Sequence, residues 1–402
     1  MNLKCRHCGK TLNHEVIDLG NQPPSNAYLD KNQILRPEIT YPLKVYACEH
    51  CWLIQLPEHA TSEELFTPDY AYFSSTSTSW CAHAEKFVNE AVSDHNLSQK
   101  SFVVELASND GYLLQYLKSR GIPCLGVEPT RAAAEIARSK GINTIESFFG
   151  LEMAKDMDKA DLVIANNVLA HVPDINDFMG GIHEVLKPKG KASIEFPHLL
   201  RMIKGKQFDT IYHEHFSYLS LRTVQRIASS VGLEIFKVSE LSTHGGSLRV
   251  WLSKKNNFEI DSSVERILNL EVQEELESLK IFEEFRASAL KAKYQFLDFL
   301  IKAKNKNKKI MAYGAAAKGN TFLNFAGIKS DLISLVADKS ISKQNKFMPG
   351  SLIPIVSPKT LLNEKPDSII VLPWNIISEI RSQLKNHQLV TAIPNLKVWN
   401  NL

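Results

Sequence analysis

The stretch Phe102-Val103-Val104-Glu105-Leu106-Ala107-Ser108-Asn109-Asp110-Gly111 decides how this chain folds. A run of mostly apolar residues too short for a helix breaks into small and polar residues ending in glycine, the pattern of a buried strand entering a loop. Leu113, Leu114 and Leu117 then fall on one face of a helix. Cys124-Leu125-Gly126-Val127-Glu128-Pro129 follows as a second strand closed by a carboxylate. Glu128 lies 23 residues past Glu105, about where an acidic group meets ribose hydroxyls in a mononucleotide-binding unit. Ala160–Ala165 reads as a third strand, entering Asn166-Asn167-Val168-Leu169-Ala170-His171-Val172-Pro173-Asp174. Gly190–Phe196 reads as a fourth, after a turn at Lys187-Pro188-Lys189-Gly190. Strands alternating with helices predict an α/β fold with a parallel sheet and ligand sites at the strand C-terminal ends.

Composition agrees with such a chain. Its 402 residues allow two or three domains at roughly 150 each. With 44% apolar and 23% charged residues it can bury a sizeable core. Forty-seven Lys plus Arg against 44 Asp plus Glu leave +3, too little for a nucleic-acid partner recruited by bulk charge. No run approaches the ~18 apolar residues of a membrane helix, and the first residues lack an apolar signal region. A cytoplasmic chain without a membrane partner is expected.

Four of the six cysteines form two CxxC pairs, Cys5 with Cys8 and Cys48 with Cys51. Two such knuckles complete a closed tetrahedral zinc site, which holds a fold and leaves no position for water. Two disulfides would need an oxidising compartment, and a redox CxxC would be a single motif after a strand. Cys81 and Cys124 read as buried free thiols. Thr67–Thr78, containing Tyr70 and Tyr72, has no periodicity and reads as either a polar linker or an active-site loop.

The first loop lacks the GxGxxG spacing of a dinucleotide site, and no P-loop is present. An acid, small residues, Asp110-Gly111 and a second carboxylate match a class I methyltransferase better. S-adenosylmethionine would lie along Glu105, Ala107, Asn109 and Gly111, on Glu128 and Pro129, and against Asn166, Asn167 and Val168. A doubly wound domain that simply carries acidic loops is the bland alternative. Residues from Ser262 to about Lys309 read as helix in two or more segments. Beyond them Lys309–Tyr313 is a strand entering Gly314-Ala315-Ala316-Ala317-Lys318-Gly319-Asn320-Thr321. Small residues, a lysine and a helix N-terminus suit a diphosphate. The strands Leu332–Asp338 and Ser368–Pro373 make this a second Rossmann-like unit. The domains expected are therefore a zinc-binding domain over 1–66, a methyltransferase domain over 67–255 and a C-terminal domain over 256–402.

Glu105–Gly111, Asn167-Val168-Leu169-Ala170-His171-Val172 and Tyr212-His213-Glu214-His215-Phe216-Ser217-Tyr218 resemble the nucleotide-sugar C-methyltransferases. The resemblance runs over essentially the whole chain. It implies methylation at carbon 3 of a 4-keto-6-deoxyhexose carried on dTDP or GDP. Carbon has no lone pair, so a proton beside the ketone must leave first. That step needs a base near histidine's range and donors at the oxyanion. The resemblance places the base at His215, with Glu214 and Tyr212 beside it, and His171 with Tyr70 or Tyr72 near the ketone oxygen. It also gives the sugar nucleotide to Gly314, Ala315, Ala316, Lys318, Gly319, Asn320, Thr321, Asp338 and Lys339. A monomer or weak homodimer is expected. Methylation at an amine or hydroxyl, and a zinc-dependent nucleotide-binding scaffold, are the rival functions.

Overall fold

The computed structural model describes residues 3–65 and 73–400. Tyr70 and Tyr72 lie outside the described residues.

Among the described residues, seventeen strands form three sheets. The first three are β1 (His14–Gln22), β2 (Tyr41–Ala47) and β3 (Ile54–Gln55). The middle of the chain supplies β4 (Val103–Leu106), β5 (Cys124–Val127), β6 (Thr144–Ile145), β7 (Ala160–Asn166), β8 (Leu186–Pro197), β9 (Ser217–Tyr218), β10 (Leu233–Leu241) and β11 (Ser247–Lys254). The last third gives β12 (Ile310–Tyr313), β13 (Val336–Ala337), β14 (Ile355–Val356), β15 (Ser368–Val371), β16 (Leu389–Thr391) and β17 (Lys397–Trp399).

The central sheet has the order β10-β11-β8-β7-β4-β5-β6. Every residue of β4 is buried, as expected where helices cover both faces of a parallel sheet. β4 pairs in parallel with β5 on one side and β7 on the other. Strand order reverses there, which opens a crevice at the C-terminal ends of β4 and β7. The sheet is not wholly parallel. β10 and β11 form an antiparallel hairpin, and β11 runs antiparallel to β8. Ser242–Gly246 is the hairpin's turn.

The turn expected at Lys187–Gly190 is instead part of β8, whose register against β7 slips between Ala160 and Leu162. Pro188 has no N–H to give a ladder, so it is tolerated where pairing is interrupted. Gly190 passes so close to β7 that a Cβ would stand 2.7 Å from the Ala160 carbonyl oxygen.

The C-terminal sheet has the order β14-β13-β12-β15-β16-β17, parallel except for β17. β12 is its reversal point, so Gly314 and the residues after it line that sheet's own crevice. The long helical stretch resolves into Ser262–Gln273 and Leu279–Asn305. Val264 and Ile267 of the first helix join the core of the central sheet, whereas Phe282, Phe285 and Phe296 of the second pack with the C-terminal unit.

The N-terminal sheet has the order β1-β2-β3-β9. Its last strand comes from 162 residues downstream of Gln55: Ile54 pairs with Tyr218 and Gln55 with Ser217. One apolar core then runs from Val16, Leu43 and Val45 through Phe208 and Ile211 to Phe322 and Ile370. Cys81 and Cys124 are free and half-buried, not fully buried as expected.

Candidate active site

The loop after β4 carries three positive φ angles, at Ala107 (53°), Asn109 (49°) and Gly111 (73°). At Gly111 a Cβ would meet Ile142 Cδ1 at 2.4 Å, so glycine is required. Asn167, on the other lip of the crevice, also sits at φ 53°. Non-glycine residues held in this region store strain where a site needs an unusual backbone path.

Three carboxyls converge on the loop. Glu128 accepts from the Asn109 N–H at 2.9 Å, from the Thr130 N–H at 2.9 Å and from the Thr130 hydroxyl. Burial nevertheless pushes its carboxyl upward. Glu105 is 1% exposed, and burial followed by repulsion from Glu128 and Asp110 drives it well above the carboxylate range. Its Oε2 has no hydrogen-bond partner among the described residues, nor do Asn166 Oδ1 and both polar side-chain atoms of Asn167. A crevice of crowded carboxyls and unmet amide groups fits a ligand with a sulfonium and an ammonium group. S-adenosylmethionine is such a ligand.

Ser74 and Ser75 tie the segment behind Tyr72 to this loop. Ser74 N–H donates to Asn109 Oδ1 at 2.8 Å, and the Ser75 hydroxyl donates to Asp110. Of the two readings for Thr67–Thr78, its described end lies against the proposed donor site.

His171, at the end of the turn after β7, and His215 meet ring to ring, with centroids 4.6 Å apart. The Tyr212 ring lies 4.0 Å from His215. His215 Nδ1 is 2.8 Å from the Thr210 carbonyl and His171 Nδ1 is 2.8 Å from the Glu214 carbonyl. Carbonyls only accept, so both Nδ1 atoms carry protons and both lone pairs belong to Nε2. Burial lowers His171 to about 4. Burial, then the repulsion that two protonated rings at His171 and His215 would feel, holds His215 well below its ordinary value. Both are neutral at pH 7.

The Glu214 side chain reaches the N-terminal module. Asn26 Nδ2 donates to both its oxygens, at 2.9 and 3.0 Å, and its backbone carbonyl holds His171. His213 faces the N-terminal sheet, donating from Nε2 to the Tyr41 carbonyl at 3.2 Å.

Glu195, His83 and Trp80 join the site without having been singled out in the sequence. Glu195 of β8 is fully buried and accepts from His83 (3.0 Å), Arg249 (3.0 Å) and Thr243 (3.0 Å). Burial alone would raise Glu195; the His83 hydrogen bond and the Arg249 charge outweigh it and keep the carboxyl below its usual range. Trp80 stacks on His83 and meets the His244 ring edge-on. A glutamate inside the apolar run Ala192–Phe196 was the available signal, since unpaired charge is hardly ever buried.

In the C-terminal unit, Ala315 N–H donates to Asp338 Oδ2 at 2.7 Å, and the Ala315 carbonyl accepts from Tyr28 and Lys343. Ala316 N–H is held by the Gly314 carbonyl. Thr321 Oγ1 donates to the Ile211 carbonyl at 3.0 Å, docking the helix Ala317–Ala326 onto the segment that precedes His215. Both side-chain polar atoms of Asn320 are buried without a hydrogen-bond partner among the described residues. Lys318 donates to Asn375 and lies over Trp374, whose indole N–H reaches Asp209 at 2.7 Å. Lys339 is exposed.

The sulfur atoms of Cys5, Cys8, Cys48 and Cys51 all lie within 4.8 Å of one another. Cys5 and Cys51, and Cys8 and Cys48, approach to 3.5 Å. A tetrahedron with ~2.3 Å zinc–sulfur bonds has edges of about 3.8 Å, so the set fits zinc. Hydrogen bonding from Cys51 lowers the Cys5 thiol to about 4 and raises Cys51 in turn. Without a cation only part of the cluster can ionise.

Sheet order, donor crevice and thiol cluster define a class I S-adenosylmethionine-dependent methyltransferase with a zinc-binding N-terminal module. Family models agree on each part: a zinc binding domain over residues 5–66, a methyltransferase domain over 80–238 and a C-methyltransferase C-terminal domain over 242–394. The C-methyltransferase NovU of Streptomyces niveus is 32% identical over 382 residues, 94% of this chain and 91% of its own. The chain belongs to the C-methyltransferase family. Looser structural likenesses exist to magnesium protoporphyrin IX methyltransferase of Synechocystis PCC 6803 (16% identity, 44% of this chain and 79% of that one, TM-score 0.35). A Pyrococcus horikoshii OT3 protein is similar at 17% identity, 46% and 95% coverage and a TM-score of 0.37. At these scores the sheet order, not the likeness, carries the fold assignment.

Proposed function

We propose that this enzyme deprotonates and methylates carbon 3 of a nucleotide-linked 4-keto-6-deoxyhexose, giving a branched sugar nucleotide. The observation that carries the reading is the His171–His215 pair, two neutral imidazoles whose Nδ1–H groups are both committed to backbone carbonyls. S-adenosylmethionine supplies an electrophilic methyl group when bound. His215 Nε2 would take the proton from the carbon beside the ketone, and that carbon's electron pair would form the bond to the methyl as the methyl–sulfur bond breaks, its pair staying on sulfur. Tyr212 packs on the base and keeps water from it. Tyr70 or Tyr72 would donate to the ketone oxygen, and His171, whose Nε2 carries only a lone pair, would sit beside it to take up and return that proton. The loop residues Glu105, Ala107, Asn109 and Gly111, with Glu128, Pro129, Asn166, Asn167 and Val168, hold the donor.

The C-terminal crevice from Gly314 through Lys318 and Gly319, with Asp338, is the proposed sugar-nucleotide site. Support comes from the N-terminus of the helix Ala317–Ala326, from half-buried Lys318 and from the unmet amide of Asn320. Thr321 is better read as a docking residue.

The test is a panel of dTDP- and GDP-linked 4-keto-6-deoxyhexoses deuterated at carbon 3, incubated with S-adenosylmethionine and followed by mass spectrometry. One substrate should gain a methyl group and lose its deuterium. A methylated product that retains deuterium would mean transfer to oxygen or nitrogen, and the proposal would fall.

A further inference from the structure

We propose that Arg6 is a positioning residue that transmits the geometry of the zinc knuckle to both candidate catalytic histidines. It rests on the reading of His171 and His215 given above. Arg6 stands between the zinc ligands Cys5 and Cys8. Its backbone N–H donates to Gln55 Oε1 at 2.9 Å, and Gln55 Nε2 donates to Cys5 Sγ at 3.1 Å. One side of Arg6 is therefore fixed to the knuckle and to β3.

Its guanidinium reaches the other way. One arm donates to the Pro173 carbonyl at 2.7 Å, two residues past His171, and the other to the Leu56 carbonyl just beyond β3. Its Cζ lies over the ring of Phe216, the residue after His215, 5.2 Å from the ring centre. Phe216 is itself held at both ends: its N–H donates to the Ala170 carbonyl at 2.8 Å and its carbonyl accepts from Leu56 N–H at 3.0 Å. One side chain thus grips the chain just downstream of each histidine.

Arginine suits the task because its planar fork can serve two carbonyls while stacking on an aromatic face. A lysine ammonium keeps the charge but not that geometry. Zinc would hold the knuckle, and Arg6 would carry its position 167 residues along the chain to Pro173.

The test uses full-length protein as Arg6→Lys, with Phe216→Leu as a second variant that leaves the knuckle untouched. Long-range proton–nitrogen NMR of the imidazoles reads the histidines directly and needs no sugar substrate. Zinc content and S-adenosylmethionine affinity are measured beside it. With zinc at one per chain and donor affinity unchanged, the His171 and His215 nitrogen resonances should shift, and their titration should move up towards ordinary histidine as packing loosens. On a turned-over substrate kcat should fall about 10–100-fold with KM little changed. Unmoved imidazole resonances in both zinc-loaded variants would overturn the proposal, as would shifts that scale only with lost zinc. If no 4-keto sugar is methylated by the parent enzyme, the substrate reading fails while the imidazole spectra still judge Arg6.

Discussion

His215 has one ring nitrogen committed to the Thr210 carbonyl and a tyrosine ring 4.0 Å away, so its proton chemistry is confined to Nε2. Replacing it with asparagine keeps approximate size and removes the proposed base. His215→Asn should lower kcat on the order of 10²–10⁴ while both substrate affinities, read by calorimetry, stay put. Near-parental turnover would shift the role to another residue, Tyr212 first. Glu214→Gln should cost less, because the His171 contact comes from the Glu214 main chain.

Burial also sets an acid limit. His171 and His213 are lowered to about 4, against about 6.5 for ordinary histidine. Between those values the unfolded chain takes up protons that the folded chain refuses, so stability falls as pH drops. The loss is at most about 1.4 kcal/mol per pH unit for each residue, and none accrues above 6.5. Urea midpoints should therefore decline from pH 6.5 to 4.5, and His213→Asn should flatten that decline by one residue's share. An unaltered slope in the variant would remove His213 from the account.

At the scale of elements, the loop after β4 and the carboxylate after β5 work as one piece. Glu128 holds the Asn109 N–H, so it braces the loop from outside. Glu128→Ala should weaken S-adenosylmethionine binding by about 1.5–3 kcal/mol, the worth of a charge-assisted hydrogen bond. Gly126→Ala should weaken it too, since a Cβ there would meet Ser108 Oγ at 2.3 Å and push the loop. Calorimetry that finds parental affinity in both variants would place the donor elsewhere. These elements were legible because a short apolar run followed by small and acidic residues has few other readings. The segment Lys187–Gly190 was misread because proline and glycine mark a turn and an interrupted ladder alike, and only the neighbouring strand decides which.

The whole molecule is less modular than three consecutive domains. β9 begins two residues after His215 and completes the N-terminal sheet, while Thr321 and Trp374 of the C-terminal unit bond to the segment that precedes His215. Zinc was expected to hold a fold and do no chemistry; because β3 of the N-terminal sheet pairs with β9, a zinc-held knuckle would also bear on the position of the segment around His215. Chelation should release one zinc per chain, lower kcat and leave S-adenosylmethionine affinity near its original value. Elemental analysis finding no zinc in protein prepared without chelator would refute this, and so would full activity after zinc loss.

What sequence by itself determined was local and short-ranged in kind: the apolar strands, the carboxylate at each strand end, and two CxxC knuckles. Spacing along the chain carries that information because a strand, a loop or a knuckle is built from neighbouring residues. Tertiary structure alone decided which distant groups share a site. Strand pairing brought Gln55 to Ser217, the sheet reversal set β4 beside β7, and desolvation in the assembled core kept both histidines neutral. No period or motif records these pairings, because burial and hydrogen bonding across a folded interior depend on residues far apart in sequence.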